Sequence, residues 1–254
     1  MMQLAAHDAA AVHAVPLPVN PWCLFLDVDG TLLELAATPS AVVVEPRLFD
    51  LLARLREAAG GALALISGRT IVDLDRLFGA LHLPCAGLHG GERRSADGQT
   101  YVADVVHAQL AEVRDGLHEL VARHTGLMLE DKGAALALHF QGARALEHQL
   151  RAEVAVLAAP LVPTYALLDG HAVIEIKPAV YTKDSAVGAF MREAPFTGRM
   201  PIFIGDDQTD YGGFDAARRE RGLAIAVGPR VTSEWWLPGP AAVHSWLEQL
   251  AEQR

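Results

Sequence analysis

Short runs of uninterrupted apolar residues, each ending at a small or polar residue, punctuate the chain. Trp22-Cys23-Leu24-Phe25-Leu26 stops at Asp27-Val28-Asp29-Gly30, Ala62-Leu63-Ala64-Leu65-Ile66 at Ser67, and Cys85-Ala86-Gly87-Leu88 at His89. Ile202-Phe203-Ile204 ends at Gly205-Asp206, and Leu223-Ala224-Ile225-Ala226-Val227 at Gly228. Runs this short, with no polar alternation, read as strands buried on both faces, as in parallel sheets covered by helices. Between the first two, Leu48, Leu51, Leu52 and Leu55 recur at helical spacing, and Gly60-Gly61 stops the helix. Strand, helix and strand in that order predict a βαβ unit, and with it an α/β core built on a parallel sheet.

The middle third follows a different rule. Leu110, Val113, Leu117, Leu120 and Val121 form one helical stripe, and Leu146, Leu150, Val154 and Leu157 a second. Around them the period drops to two. Leu136, Leu138 and Phe140 alternate with Ala135, Ala137 and His139, and Ala172, Ile174 and Ile176 with Val173, Glu175 and Lys177. Such alternation predicts a sheet with one face on helices and the other open. The expected organisation is an N-terminal tail at 1–20, a core domain from 21–106 and 175–254, and an inserted α+β module at 107–174.

Composition narrows the class. The chain has 254 residues, 51% hydrophobic, 6% aromatic and 20% charged, a balance that supports a full core and excludes disorder for most of its length. An excess of 31 acidic over 21 basic residues gives a charge of −10, which repels a phosphate backbone, so nucleic acid is not an expected partner. Cys23 and Cys85 lie in apolar runs and make no disulfide framework. No apolar stretch approaches the ~20 residues of a membrane span. Met1–Asn20, interrupted by His7, Asp8 and His13, lacks the basic leader of a signal peptide. A cytoplasmic, monomeric enzyme without a membrane partner is the expectation.

Ligands of open α/β sheets bind at the carboxyl ends of the strands. Asp27, Asp29, Thr31, Ser67, Asp206, Asp207 and Asp210 follow such ends and are expected in one crevice. Any one of these aspartates alone reads as a helix cap or turn former. Asp-Val-Asp-Gly-Thr directly after an apolar strand does not. Two unit charges ~4 Å apart repel by about 4 kcal/mol at an effective dielectric of roughly 20, so the cluster calls for a cation. An all-oxygen donor set suits Mg²⁺, and Lys183, ahead of the helix-like Asp184–Arg192, is the expected basic partner.

In order and spacing, Asp27-Val28-Asp29-Gly30-Thr31, Ser67-Gly68-Arg69, Lys183 and Gly205-Asp206-Asp207-Gln208-Thr209-Asp210 resemble the four motifs of the haloacid dehalogenase superfamily of phosphatases. The resemblance implies a Rossmann-like parallel sheet, and the insertion between the second and third motifs resembles that superfamily's C2-type cap. Gly87-Leu88-His89-Gly90-Gly91-Glu92, Glu130-Asp131-Lys132-Gly133 followed by His139, and Glu175-Ile176-Lys177-Pro178 narrow the likeness to the trehalose-6-phosphate phosphatase branch. It spans Pro21 to Gly228. Tyr211, Lys177 and Asp184 depart from that branch, standing where Glu, Arg and Gly are usual.

The resemblance implies hydrolysis of a sugar phosphate, trehalose 6-phosphate, through an aspartyl-phosphate. Asp27 is the implied nucleophile, and Asp29 the general acid and then base. Mg²⁺ is implied on Asp27, Asp206 and the backbone carbonyl of Asp29, with Asp207 outside it. Ser67, Lys183 and Thr31 would hold the phosphoryl oxygens, and Asp210 would orient Lys183 or its loop. In the cap, Glu130, Lys132 and Glu175 are the implied sugar contacts, the alternative being a solvated face with a surface ion pair. His139 either joins them or packs beside a strand neighbour. His89 and Glu92 either reach substrate or belong to a Gly-rich turn, and Arg69 pairs with a core carboxylate or with substrate. Sucrose phosphate or a mannosyl-glycerate phosphate as substrate, a phosphosugar mutase and a non-catalytic sensor would keep the same layout. The joint presence of Asp27, Asp29, Lys183 and Asp206 disfavours the sensor.

Overall fold

A computed structural model describes residues 15–19, 21–35, 42–102, 110–170 and 172–253. The expected tail at 1–14 and at residue 20, and the expected start of the inserted module at 107–109, lie outside them. The chain begins with β1 (Trp22–Leu26), α1 (Pro46–Ala58), β2 (Leu63–Ile66), α2 (Ile71–Phe78), β3 (Cys85–Gly87), β4 (Glu92–Arg94) and β5 (Thr100–Val102). A second group follows: α3 (Leu110–Arg123), β6 (Met128–Asp131), β7 (Leu136–His139), α4 (Glu147–Ala158), β8 (Tyr165–Gly170) and β9 (Val173–Pro178). The chain then completes α5 (Lys183–Met191), β10 (Met200–Gly205), α6 (Tyr211–Arg219), β11 (Leu223–Val227), β12 (Trp235–Leu237) and α7 (Pro240–Glu252).

The large sheet runs in the order β12-β11-β10-β1-β2-β3-β4-β5. It is parallel from β12 to β3 and turns antiparallel at β4 and β5. Every residue of β1 and β2 is buried, which is why these strands carry no polar position to alternate with. Leu48, Leu51, Leu52 and Leu55 are the buried face of α1, as their spacing predicts. Pro46 starts this helix, where a missing N–H costs nothing.

The small sheet, in the order β6-β7-β9-β8, is antiparallel throughout and has its own apolar core. Leu110, Val113, Leu117 and Leu120 of α3 and Leu150 and Val154 of α4 pack there with Leu136, Leu138, Ile174 and Ile176. β9 runs unbroken across 174/175, where the sequence pattern parts module from core, and pairs with β7 and β8 on either side.

The other face of β9 departs from expectation. Alternation predicts Glu175 and Lys177 to be open to water, yet they are only 7% and 6% exposed. Lys132 joins Glu175 to the carbonyl of Gly68, beyond β2, and His89, beyond β3, bonds the same carboxylate. The polar phase of the small sheet is therefore turned onto the loops of the large one. A period of two distinguishes the faces of a strand but not what covers them.

Leu138 is fully buried in the small core. Its replacement by Ala is expected to cost about 2–5 kcal/mol, read from the denaturation midpoint.

Candidate active site

The site forms where the sheet's connectivity reverses. From β1 the chain proceeds outward through β2 and β3, whereas β10, β11 and β12 extend the other edge; beyond the carboxyl ends of β1 and β10 is the position where open α/β sheets form a ligand crevice. These neighbours are paired in register, Leu26 opposite Ile204, and the amide of Asp27 continues the ladder to the carbonyl of Ile204 at 3.0 Å. Asp27 and Asp206 thus leave adjacent strand ends. Gly30, at φ +84°, lets the intervening turn pass so close that a Cβ there would lie 2.1 Å from Oδ2 of Asp206. Thr182 caps α5 in a reciprocal pair with Ser185, which sets Lys183 as the helix's first residue.

Lys183 is 2% exposed and its Nζ donates to Oδ1 of Asp27 and Oδ1 of Asp210, each at 2.6 Å. Burial would strip its proton, but Asp210 and Asp27 hold the ammonium well above its usual range. Burial pushes Asp27 up; Lys183 opposes this, while Asp207 and Asp29 add to it. Asp210 rises for the same reason, burial first, with Lys183 opposing and Asp27 repelling. The second oxygen of Asp210 accepts the backbone N–H groups of Asp206 and Asp207, both at 3.0 Å, so this carboxylate shapes the loop as well as holding the lysine.

Asp27, Asp206 and Asp210 each place a carboxylate oxygen within 4.8 Å of the others. One ammonium, Lys183, and one guanidinium, Arg230, among three buried carboxylates still leave negative charge uncompensated, and the all-oxygen donor set fits a hard divalent cation. Lys183 and the backbone engage both oxygens of Asp210, Thr31 and Arg230 engage those of Asp206, and Lys183 engages Oδ1 of Asp27.

The remaining predicted residues divide. Thr31 donates to Oδ1 of Asp206 at 3.3 Å, and buried Ser67 accepts the amide of Arg69 at 3.1 Å. Asp207 does not enter the cluster; its carboxylate accepts the amide and hydroxyl of Thr209. The carboxylate of Asp29 stands apart too. Arg69 holds it with two parallel bonds, Nε to Oδ2 and Nη2 to Oδ1, both 2.7 Å. Of the alternatives open for Arg69, the structure has the core carboxylate.

On the small sheet, Glu175 sits between Lys132 at 3.0 Å and Nε2 of His89 at 2.8 Å. Burial alone would raise the Glu175 pKa, but Lys132 and His89 outweigh it and hold the carboxylate far below its usual range. His89 adopts a left-handed conformation at φ +57°, and its Nδ1 is buried without a partner among the described residues. Glu130 pairs with His139 at 2.8 Å, in a neighbouring strand pair. Glu92 takes the amide of Ile71 at the start of α2, a helix-end role that its Gly-rich sequence context did not reveal. Lys177 donates to the carbonyl of Tyr181, Asp184 pairs with exposed Arg219, and Tyr211 packs edge-on against Phe214.

Sequence reasoning missed Arg230, which contacts Asp206. The signal was present: the run Leu223–Val227 is a strand like the others, and the loop after it ends at the same crevice.

The fold is shared with haloacid dehalogenase-like hydrolases. A hydrolase of this kind from Bacteroides thetaiotaomicron superposes with a TM-score of 0.62 at 15% identity, covering 90% of this chain and 99% of that one. The C-terminal domain of C. albicans trehalose-6-phosphate phosphatase gives a TM-score of 0.83 at 20% identity, over 92% of this chain and 93% of that one. The family model described as trehalose-phosphatase matches residues 25–235. The trehalose-6-phosphate phosphatase of Escherichia coli (strain K12) is 42% identical over 227 residues, 89% of this chain and 85% of its own length. The chain belongs to the trehalose-phosphatase family.

The depressed pKa of Glu175 fixes a sign. The stability its charge contributes is complete above the usual carboxylate value of 4.5 and is lost as the pH falls below it. Glu175→Gln is expected to be less stable than the parent at neutral pH. The gap in denaturation midpoint should close as the pH drops below 4.5; a constant gap counts against the assignment.

Proposed function

We propose that this protein is a Mg²⁺-dependent phosphatase that hydrolyses trehalose 6-phosphate to trehalose and phosphate through a phosphorylated Asp27. One observation carries the reading. A buried carboxylate held against Lys183 lies beside Asp206 at the strand-end crevice, and a buried polar network joins the small sheet to the adjoining Gly68.

In the first step an oxygen of Asp27 attacks phosphorus and the bond from phosphorus to the sugar oxygen breaks. Asp29 gives its proton to the departing sugar oxygen. A proton on Asp29 and a guanidinium on both its oxygens exclude each other, so Arg69 lets go before this step. In the second step Asp29 takes a proton from water, the hydroxide oxygen bonds to phosphorus, and the bond to Asp27 breaks. Lys183 neutralises Asp27 and, with Ser67 and Thr31, holds phosphoryl oxygens. Asp27 and Asp206 would hold Mg²⁺, joined by the backbone carbonyl of Asp29. When bound, the cation supplies charge neutralisation for the phosphoryl group.

Residues 107–174, with the continuation of β9, act as the cap that selects the sugar. A disaccharide offers many hydroxyls and little apolar surface. Glu130, Lys132 and Glu175, with His89 beneath them, supply charged donors and acceptors, and such a site rejects analogues that leave these groups unpaired. The unpartnered Nδ1 of His89 supports this reading.

Asp27→Asn is expected to lower phosphate release from trehalose 6-phosphate on the order of 10⁴-fold or more while leaving the circular dichroism spectrum unchanged. The parent should lose activity to a chelator, recover it with added Mg²⁺, and turn over glucose 6-phosphate or sucrose phosphate more slowly. Undiminished turnover by Asp27→Asn, or preference for a monosaccharide ester, would falsify the proposal.

A further inference from the structure

The loop between β11 and β12 carries a charge that this mechanism does not use. Nη2 of Arg230 donates to Oδ2 of Asp206, whose other oxygen accepts from Thr31 at 3.3 Å. The same Nη2 lies 3.0 Å from the position a Cβ on Gly30 would take, so the guanidinium sits over the turn that follows Asp27 and Asp29. The Arg230 side chain is 31% exposed against 6% for Asp206, so the arginine has a way out toward water.

Lys183 already answers Oδ1 of Asp27 and Oδ1 of Asp210. The carboxylate capacity left over is that of Asp206 and the second oxygen of Asp27, and Arg230 takes part of it. A guanidinium cannot lose its charge here. A dication and a guanidinium on one carboxylate repel each other, whichever arrives second.

We propose that Arg230 is a built-in rival of the divalent cation: the two compete for the carboxylate of Asp206, and cation entry displaces Arg230 from it. The inference rests on the metal reading given under the proposed function. Two consequences separate it from a merely structural arginine. Removing Arg230 frees Asp206 and tightens cation binding. Removing it also leaves Asp206 without its counter-charge when no cation is supplied.

The test is a calorimetric titration of MgCl₂ into the chelator-treated full chain, parent and Arg230→Gln, with thermal melts in chelator and in excess Mg²⁺. Arg230→Gln is expected to bind Mg²⁺ roughly five- to tenfold more tightly, the range of one charge-assisted hydrogen bond only partly recovered. Its melting temperature should be below the parent's in chelator and level with it in excess Mg²⁺. Equal or weaker Mg²⁺ affinity overturns the rivalry, as does an unchanged melt in chelator. A parent that binds no Mg²⁺ defeats the metal reading itself, and the rivalry with it. If Arg230→Gln fails to fold, Arg230→Lys, which keeps the charge and loses the fork, should tighten Mg²⁺ binding by a smaller factor; no tightening overturns the inference.

Discussion

A single ammonium group, Nζ of Lys183, is caught between two carboxylates where almost no water reaches. Each of the three charges would be costly alone, since burying an unpaired ion costs several kcal/mol. Together they are tolerable, and so they must be delivered together. β1 delivers Asp27, the turn after β10 delivers Asp210, and the first residue of α5 delivers Lys183. The capping pair at Thr182 and Ser185, the register of β1 against β10, and the loop bonds from Asp210 to the amides of Asp206 and Asp207 all serve this meeting. The arrangement that disposes of the charge also aims Asp27 and Asp206 into the crevice.

The join between the two sheets obeys a different logic. Each sheet has its own apolar cluster, and the contacts between them at Glu175, Lys132, His89 and Gly68 are polar. A carboxylate surrounded by an ammonium and an imidazole can be buried at modest cost and can also be wetted if the faces part. An apolar join would strongly resist parting. A polar join is compatible with the proposed role of the small sheet as a cap that admits and releases a hydroxyl-rich substrate.

Much of the fold was legible because burial on both faces leaves a mark in the chain. A strand such as Leu63–Ile66 has no exposed position, so it has no polar residue, and the apolar run announces it. The helices announced themselves through stripes such as Leu48 to Leu55, because one face alone is buried. The rule that strand ends gather at one crevice then brought Asp27 and Asp206 together from sequence positions far apart.

Local pattern determined which elements form, which face of each is apolar and which carboxylates stand at strand ends, because these follow from backbone geometry within a few residues. Tertiary structure decided the partners. Asp29 left the acidic group for Arg69, Glu92 went to a helix end, Glu175 and Lys177 were covered, and Arg230 arrived at Asp206. Apart from Lys177, whose carbonyl partner on Tyr181 is four residues away, each outcome depends on a polar or charged group brought from another part of the chain, and an electrostatic interaction depends on distance in space, which periodicity along the sequence does not encode.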